Sequence, residues 1–140
     1  MVFKATKPGL FGENYFMREG RIAQRNCSPF DYLMRLRLWQ HLFESAPGPL
    51  GMTNQGQIIS SHEFITGIPP AQSELDAYLI AEGFTAVRKQ YWLWEKSYPE
   101  DAFAIGLGDA RPDNFVKSPA GIVPIDIRVW ISPEERLRDW

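Results

Sequence analysis

The chain has 140 residues, enough for one domain that buries roughly two-thirds of its unfolded surface without disulfide or metal. Hydrophobic residues make up 44% and charged residues 23%, which excludes a disordered chain. The net charge of −2, with no basic tract, argues against nucleic acid or an anionic membrane as partner. A lone cysteine, Cys27, excludes an intrachain disulfide, and with only His41 and His62 beside it no structural zinc site is expected.

Val2–Thr6 reads as a strand that Lys7-Pro8-Gly9 breaks, and Asn14–Gln24 as a hairpin turning at Arg18-Glu19-Gly20. A helix follows, with Ser28 as N-cap, Pro29 at the first helical position and Asp31 in the first turn. Leu33, Leu36, Trp39, Leu42 and Phe43 recur at helical spacing until Ala46-Pro47-Gly48-Pro49. Leu50–Thr53 and Gln57–Ile65 form a second hairpin across Asn54-Gln55-Gly56, and Gly67-Ile68-Pro69-Pro70 is a linker. Gln72–Glu82 is an amphipathic helix with Leu75, Tyr78 and Leu79 on one face and Gly83 as its stop. Phe84–Arg88, Tyr91–Glu95 and Phe103–Ile105 are short strands. Phe115–Lys117 and Ile122–Ile125 make one more hairpin, and Ser132-Pro133-Glu134-Glu135 has the form of a capping box that starts a last helical turn. Mixed strands and helices with short connections define an α+β class. The N-terminal residues lack the apolar core of a signal peptide and no stretch is long enough to span a bilayer, so a soluble, cytoplasmic protein without a membrane partner is expected.

The chemically informative stretch is Gly106–Val116, followed by Ile122–Asp126. A short hairpin brings Asn114 and Asp126, which flank its arms, next to each other. Oxygen ligands from an Asn and an Asp suit Mg²⁺, which fills its remaining positions with water and phosphate. Asp109 then faces the same space as a proton acceptor, and Arg111 places positive charge beside a phosphate. The plain alternative is that all of these are turn residues, favoured in loops for backbone reasons; for Asp113 that alternative is preferred.

Asp109-Ala110-Arg111-Pro112-Asp113-Asn114 resembles the D-x-[KR]-P-x-N catalytic loop of the protein-kinase-like superfamily, with Asp126 where kinases carry the metal-binding Asp of D-F-G. The Gly108-Asp109 pair is similar to aminoglycoside-phosphotransferase-type kinases. Across most of residues 1–130 the chain resembles the kinase-like domain of polyvalent proteins from phages and conjugative elements, through Val2–Gly9, Tyr32–Leu36, Leu42-Phe43, Glu82-Gly83-Phe84 and Gly108–Val116.

The resemblance implies a compact, truncated kinase-like fold in one domain, 1–140: a small-lobe-like part at 1–66, a hinge at 67–70, a catalytic-loop part at 71–131 and a tail at 132–140. It implies ATP and Mg²⁺ as cofactors, with Asp109 as base, Arg111 neutralising phosphate, Asn114 and Asp126 on the metal, and Lys4 holding the nucleotide phosphates. Phe64–Pro70 would meet the adenine, and Glu44, at the end of the first helix, is a candidate partner for Lys4 against the plainer reading of a solvated charge. Two departures stand out: no glycine-rich loop precedes Lys4, and Ile127-Arg128 replaces Phe-Gly after the metal Asp. The first expectation is phosphoryl transfer to a hydroxyl acceptor by a protein of a mobile genetic element. A rival is an inactive kinase-like module (a pseudokinase) that binds a host or phage protein, and a weaker third is a metal-dependent hydrolase.

Other signals carry less. Gly106-Leu107-Gly108 is no dinucleotide fingerprint, because Arg111 and Pro112 stand where a third glycine and a helix should follow. His62 is expected to be a hydrogen-bonded structural residue, His41 a surface or partly buried one, and Cys27 no nucleophile. Tyr91-Trp92-Leu93-Trp94 reads as a strand covered on both faces, or as an exposed aromatic surface flanked by Arg88 and Lys89.

Overall fold

A computed structural model describes residues 1–18, 21–88 and 92–133, and of 14–18, 21–23, 132 and 133 the backbone alone. It is a mixed α+β structure, mostly antiparallel strands with two helices.

The first sheet has the order β1-β5-β4, from β1 (Val2–Ala5), β4 (Gly48–Met52) and β5 (Ile58–His62). Its register sets Lys4 opposite Ser60 and Phe3 opposite Ser61. Period-2 alternation decides which side is inside: Ile58 and Ser60 are buried, whereas Phe3 is 65% exposed. β2 (Glu13–Arg18) and β3 (Arg21–Asn26) form the expected hairpin, whose turn at Glu19 and Gly20 lies outside the described residues.

α1 (Pro29–Leu42) opens as its sequence dictates. Ser28 Oγ accepts from the Asp31 N–H and Asp31 accepts in return from the Ser28 N–H, a complete capping box. The helix stops at Leu42, earlier than the Pro-Gly signal, because Phe43 turns extended and the chain enters β4 already at Gly48. Its buried face is Arg35, Leu36, Leu38 and Trp39, while Leu33 is 41% exposed. The stripe is therefore turned from the one the apolar residues alone suggest, so that a charged residue points inward.

α2 (Gln72–Ala81) buries Leu75 and Leu79 completely, one turn apart. It has half a capping box: Glu74 accepts the Ala71 N–H, but Ala71 has no acceptor to return. The second sheet has the order β11-β8-β7-β6, from β6 (Thr85–Arg88), β7 (Leu93–Tyr98), β8 (Phe103–Gly108) and β11 (Arg128–Pro133). β8 runs three residues further than the apolar run predicts, to Gly108. Leu93 and Trp94 are buried in β7, but Trp92 is a half-buried turn residue with φ of +57° ahead of that strand, so the covered-strand reading holds for Leu93 and Trp94 alone; Lys89 and Tyr91 lie outside the described residues.

The helical turn expected from Ser132 is corrected, since Ser132 and Pro133 end β11, paired with Ala104 and Phe103. β11 is an edge strand, where proline is tolerated because one side of the backbone has no ladder to complete. Residues 134–140, including Glu134 and Glu135, lie outside the described residues.

One continuous core joins Leu38, Trp39 and Phe43 of the α1 region to Leu75 and Leu79 and to Ile105, Leu107 and Val129 of the second sheet. It crosses the 67–70 segment. That segment is also more than a linker: the Lys117 N–H donates to Ile68 O at 2.7 Å, and a Cβ at Gly67 would lie 2.2 Å from Lys117 O. Only glycine allows this approach.

Tyr78 packs against the core, and burial, with Glu82 and Glu44 nearby, pushes its phenol up to about 12. The unfolded chain ionises this group near 10, so the native state loses stability as pH rises from about 10 to about 12. Tyr78→Phe is expected to flatten that alkaline limb in urea melts between those values. Trp130 lies across Gly106, where a Cβ would meet its indole at 2.4 Å. Gly106→Ala is therefore expected to cost about 1–3 kcal/mol by overpacking, read as a lower urea midpoint with unchanged slope.

Candidate functional site

β8 delivers the chain to Asp109, whose φ of +55° lies in the left-handed region that Asp tolerates better than most residues. The backbone then turns tightly: the Arg111 N–H donates to Asp109 O at 2.8 Å, and Pro112–Asn114 forms one 3₁₀ turn. β9 (Phe115–Ser118) and β10 (Gly121–Pro124) pair as expected and return the chain to Ile125 and Asp126.

Asn114 is the joint of the site. It is buried, and its Nδ2 donates to Asp109 O at 2.7 Å. Its own carbonyl accepts from the Ile125 N–H at 2.9 Å and the Asp126 N–H at 3.3 Å. The segments carrying Asp109, Asn114 and Asp126 are thus brought together by hydrogen bonds through one residue. With the amide nitrogen committed, Asn114 Oδ1 is left to accept from or coordinate a ligand. The Asp126 side chain is exposed.

Lys4 reaches the same place from the other end of the chain. Its Nζ donates to Ile125 O at 3.1 Å, one residue before Asp126. Glu44 is no partner in this arrangement: it is exposed, beyond the end of α1, and near enough to Tyr78 to raise that phenol. Arg111 Nε lies 3.0 Å from Asp109 Oδ1 and 3.6 Å from Asp113 Oδ1. The guanidinium is half-exposed, so the pair is a local clamp more than a source of stability.

Among the described residues no group of three or more His, Cys, Asp and Glu side chains converges as a metal cage. Asn114 and Asp126 suit a cation that takes few protein ligands and keeps water and phosphate oxygens, which is the habit of Mg²⁺ and not of zinc.

Arg35, Glu13 and Arg128, which meet at the start of β2, escape sequence reasoning. Arg35 is buried, donates to Glu13 O at 3.1 Å and to Cys27 Sγ at 3.5 Å, and has its pKa lowered by burial. Arg128 lies 3.9 Å from Glu13 and opposite Gly108 in the sheet. The one available signal was Arg35 itself, a charge next to Leu36 on an otherwise apolar helix face. Cys27 is buried and desolvation pushes its thiol up, the opposite of an activated nucleophile. His62 Nδ1 lies 2.9 Å from Glu63 O, as a structural histidine should, and His41 is exposed.

Comparison with protein-family models, with curated proteins and with solved structures gives no match for this chain. No helix among the described residues is long and apolar enough to cross a membrane.

The hydrogen bond from Asn114 to Asp109 O is partly buried, and Asn114→Ala removes it while Asp109 O keeps the Arg111 N–H. A loss of about 0.5–1.5 kcal/mol in unfolding free energy is expected. Asp113→Ala, at an exposed neighbouring position, should change stability by no more than about 0.5 kcal/mol. Equal effects in denaturant melts would remove Asn114 from its role as the joint.

Proposed function

We propose that this chain is a kinase-like module that binds ATP with Mg²⁺ and transfers phosphate to a hydroxyl acceptor. The observation that carries the reading is that hydrogen bonds join the Lys4 side chain to Ile125 O and join Asn114 to the main chain of Asp109, Ile125 and Asp126, although Lys4 and Ile125 are 121 residues apart.

In this reading Lys4 and Arg111 offset phosphate charge, and Asp109 accepts the proton of the acceptor hydroxyl. The acceptor oxygen bonds to the γ-phosphorus as the bond to the bridging β,γ-oxygen breaks, leaving ADP, a phosphate ester and a proton. Asn114 Oδ1 and the Asp126 carboxylate would hold the cation, which when bound screens the phosphate oxygens. Holding Asp109, Asn114 and Asp126 on one hydrogen-bonded frame contributes preorganisation, the main part of catalysis in phosphoryl transfer.

A second reading, binding of a protein partner without turnover, is favoured by the exposed Phe3, Leu50, Met52 and Phe64 on and beside the first sheet. The ion pair between Arg111 and Asp109 fits it too, because it occupies an oxygen that a base needs.

Saturating ATP and Mg²⁺, at about 100 times the dissociation constant, should stabilise the wild type by roughly 2.7 kcal/mol. Asp126→Asn should show little of that shift while its ligand-free melting point stays within about 2 °C, since the side chain is exposed. An equal shift in both proteins would count against the cation assignment. Asp109→Asn should lower turnover by about 10²–10⁴-fold with nucleotide affinity kept; a nucleotide shift without any wild-type turnover selects the second reading.

A further inference from the structure

A cavity of about 420 Å³ opens beside Lys4, between β1, the 7–12 segment, α1 and the start of β11. Neither 64–70 nor Asp109, Asn114 or Asp126 lines it; it shares only Lys4 with the proposed nucleotide site. Its charged lining is Lys4, Lys7, Arg128 and Glu13, three cations and one carboxylate, a net charge of +2. Leu10 and Tyr32 give it apolar wall.

We propose that this cavity binds a small organic phosphomonoester. The charge calls for a dianion, and a phosphomonoester carries close to two negative charges at neutral pH. The apolar wall calls for both charges on one head and an uncharged body, which a dicarboxylate with charge at both ends does not offer. Arginine and lysine together suit a phosphate head, the first through its fork of donors and the second as a point charge.

The cavity is built. Gly12, with φ of +85°, lies so close to Arg35 that a Cβ there would sit 2.8 Å from its guanidinium. The buried Arg35 then fixes the start of β2 by donating to Glu13 O. Arg128 is set by its sheet register and by Glu13, 3.9 Å away. The inference does not rest on the ATP–Mg²⁺ reading.

The test is calorimetric titration of the full chain with phenyl phosphate in EDTA, which leaves the Mg²⁺-dependent site out of play. Methyl phosphate, benzoate and succinate serve as comparisons. Phenyl phosphate should bind best, and Lys7→Gln and Arg128→Gln should each weaken it about tenfold. Glu13→Gln should tighten it severalfold, an effect no merely structural role of Glu13 would produce. Affinity should fall as pH drops below about 6, where the ligand takes its second proton. Absence of binding at millimolar phenyl phosphate overturns the proposal, as does unchanged affinity in Lys7→Gln. Benzoate or succinate binding as tightly overturns the phosphate assignment. Should Arg128→Gln fail to fold, Lys7→Gln decides alone, because Lys7 is exposed.

Discussion

Asn114 is the constraint on which the rest of the site depends. Asn114 is buried; its Nδ2 donates to Asp109 O while its main-chain carbonyl accepts from Ile125 and Asp126, which ties the loop after β8 to the return of the β9–β10 hairpin. The left-handed backbone at Asp109 is held in place by the same bonds. Without that joint, Asp109 and Asp126 would be two acidic loop residues at the ends of different strands. With it they belong to one frame, and Lys4 needs only to reach a single carbonyl to join them.

The frame rests on a core that ignores the division at 67–70. Trp39 and Phe43 share a hydrophobic cluster with Leu75, Phe84 and Val129, so the α1 region is secured to the second sheet. Gly67 and Ile68 lie on β9, and Lys117 of that strand also pairs with Glu74, whose carboxyl this contact holds below its usual range. The hairpin that carries Asn114 is thereby held between the interpart segment and α2. These contacts locate the site at a seam where three parts of the chain are mutually fixed.

Local features were legible wherever the physics was local. Ser28, Pro29 and Asp31 announced the start of α1, and Gly83 the end of α2, because capping depends on residues within one turn. The approach of Asn114 to Asp126 was also readable, since a short hairpin leaves little choice. β11 was not: Val129 and Trp130 are apolar enough for a strand, but Ser132, Pro133 and Glu134 imitate a helix start. Only the edge position of the strand explains why Pro133 is accepted there. The inward turn of Arg35 was equally hidden, because it depends on Glu13 and Cys27 reaching it from β2 and from the segment ahead of α1. The link from Lys4 to Ile125 has no local signature at all.

That last link bears on how the protein is made. A contact across 121 residues cannot form until nearly all of the described chain has been synthesised and its loop-closure entropy overcome. The site needs two long-range closures: β1 on β5, more than 50 positions away in sequence, and Lys4 on the carbonyl that follows the β9–β10 hairpin. An emerging chain therefore carries Lys4 through 121 further residues before the site has its carbonyl. Assembly of the site follows synthesis of the β9–β10 hairpin.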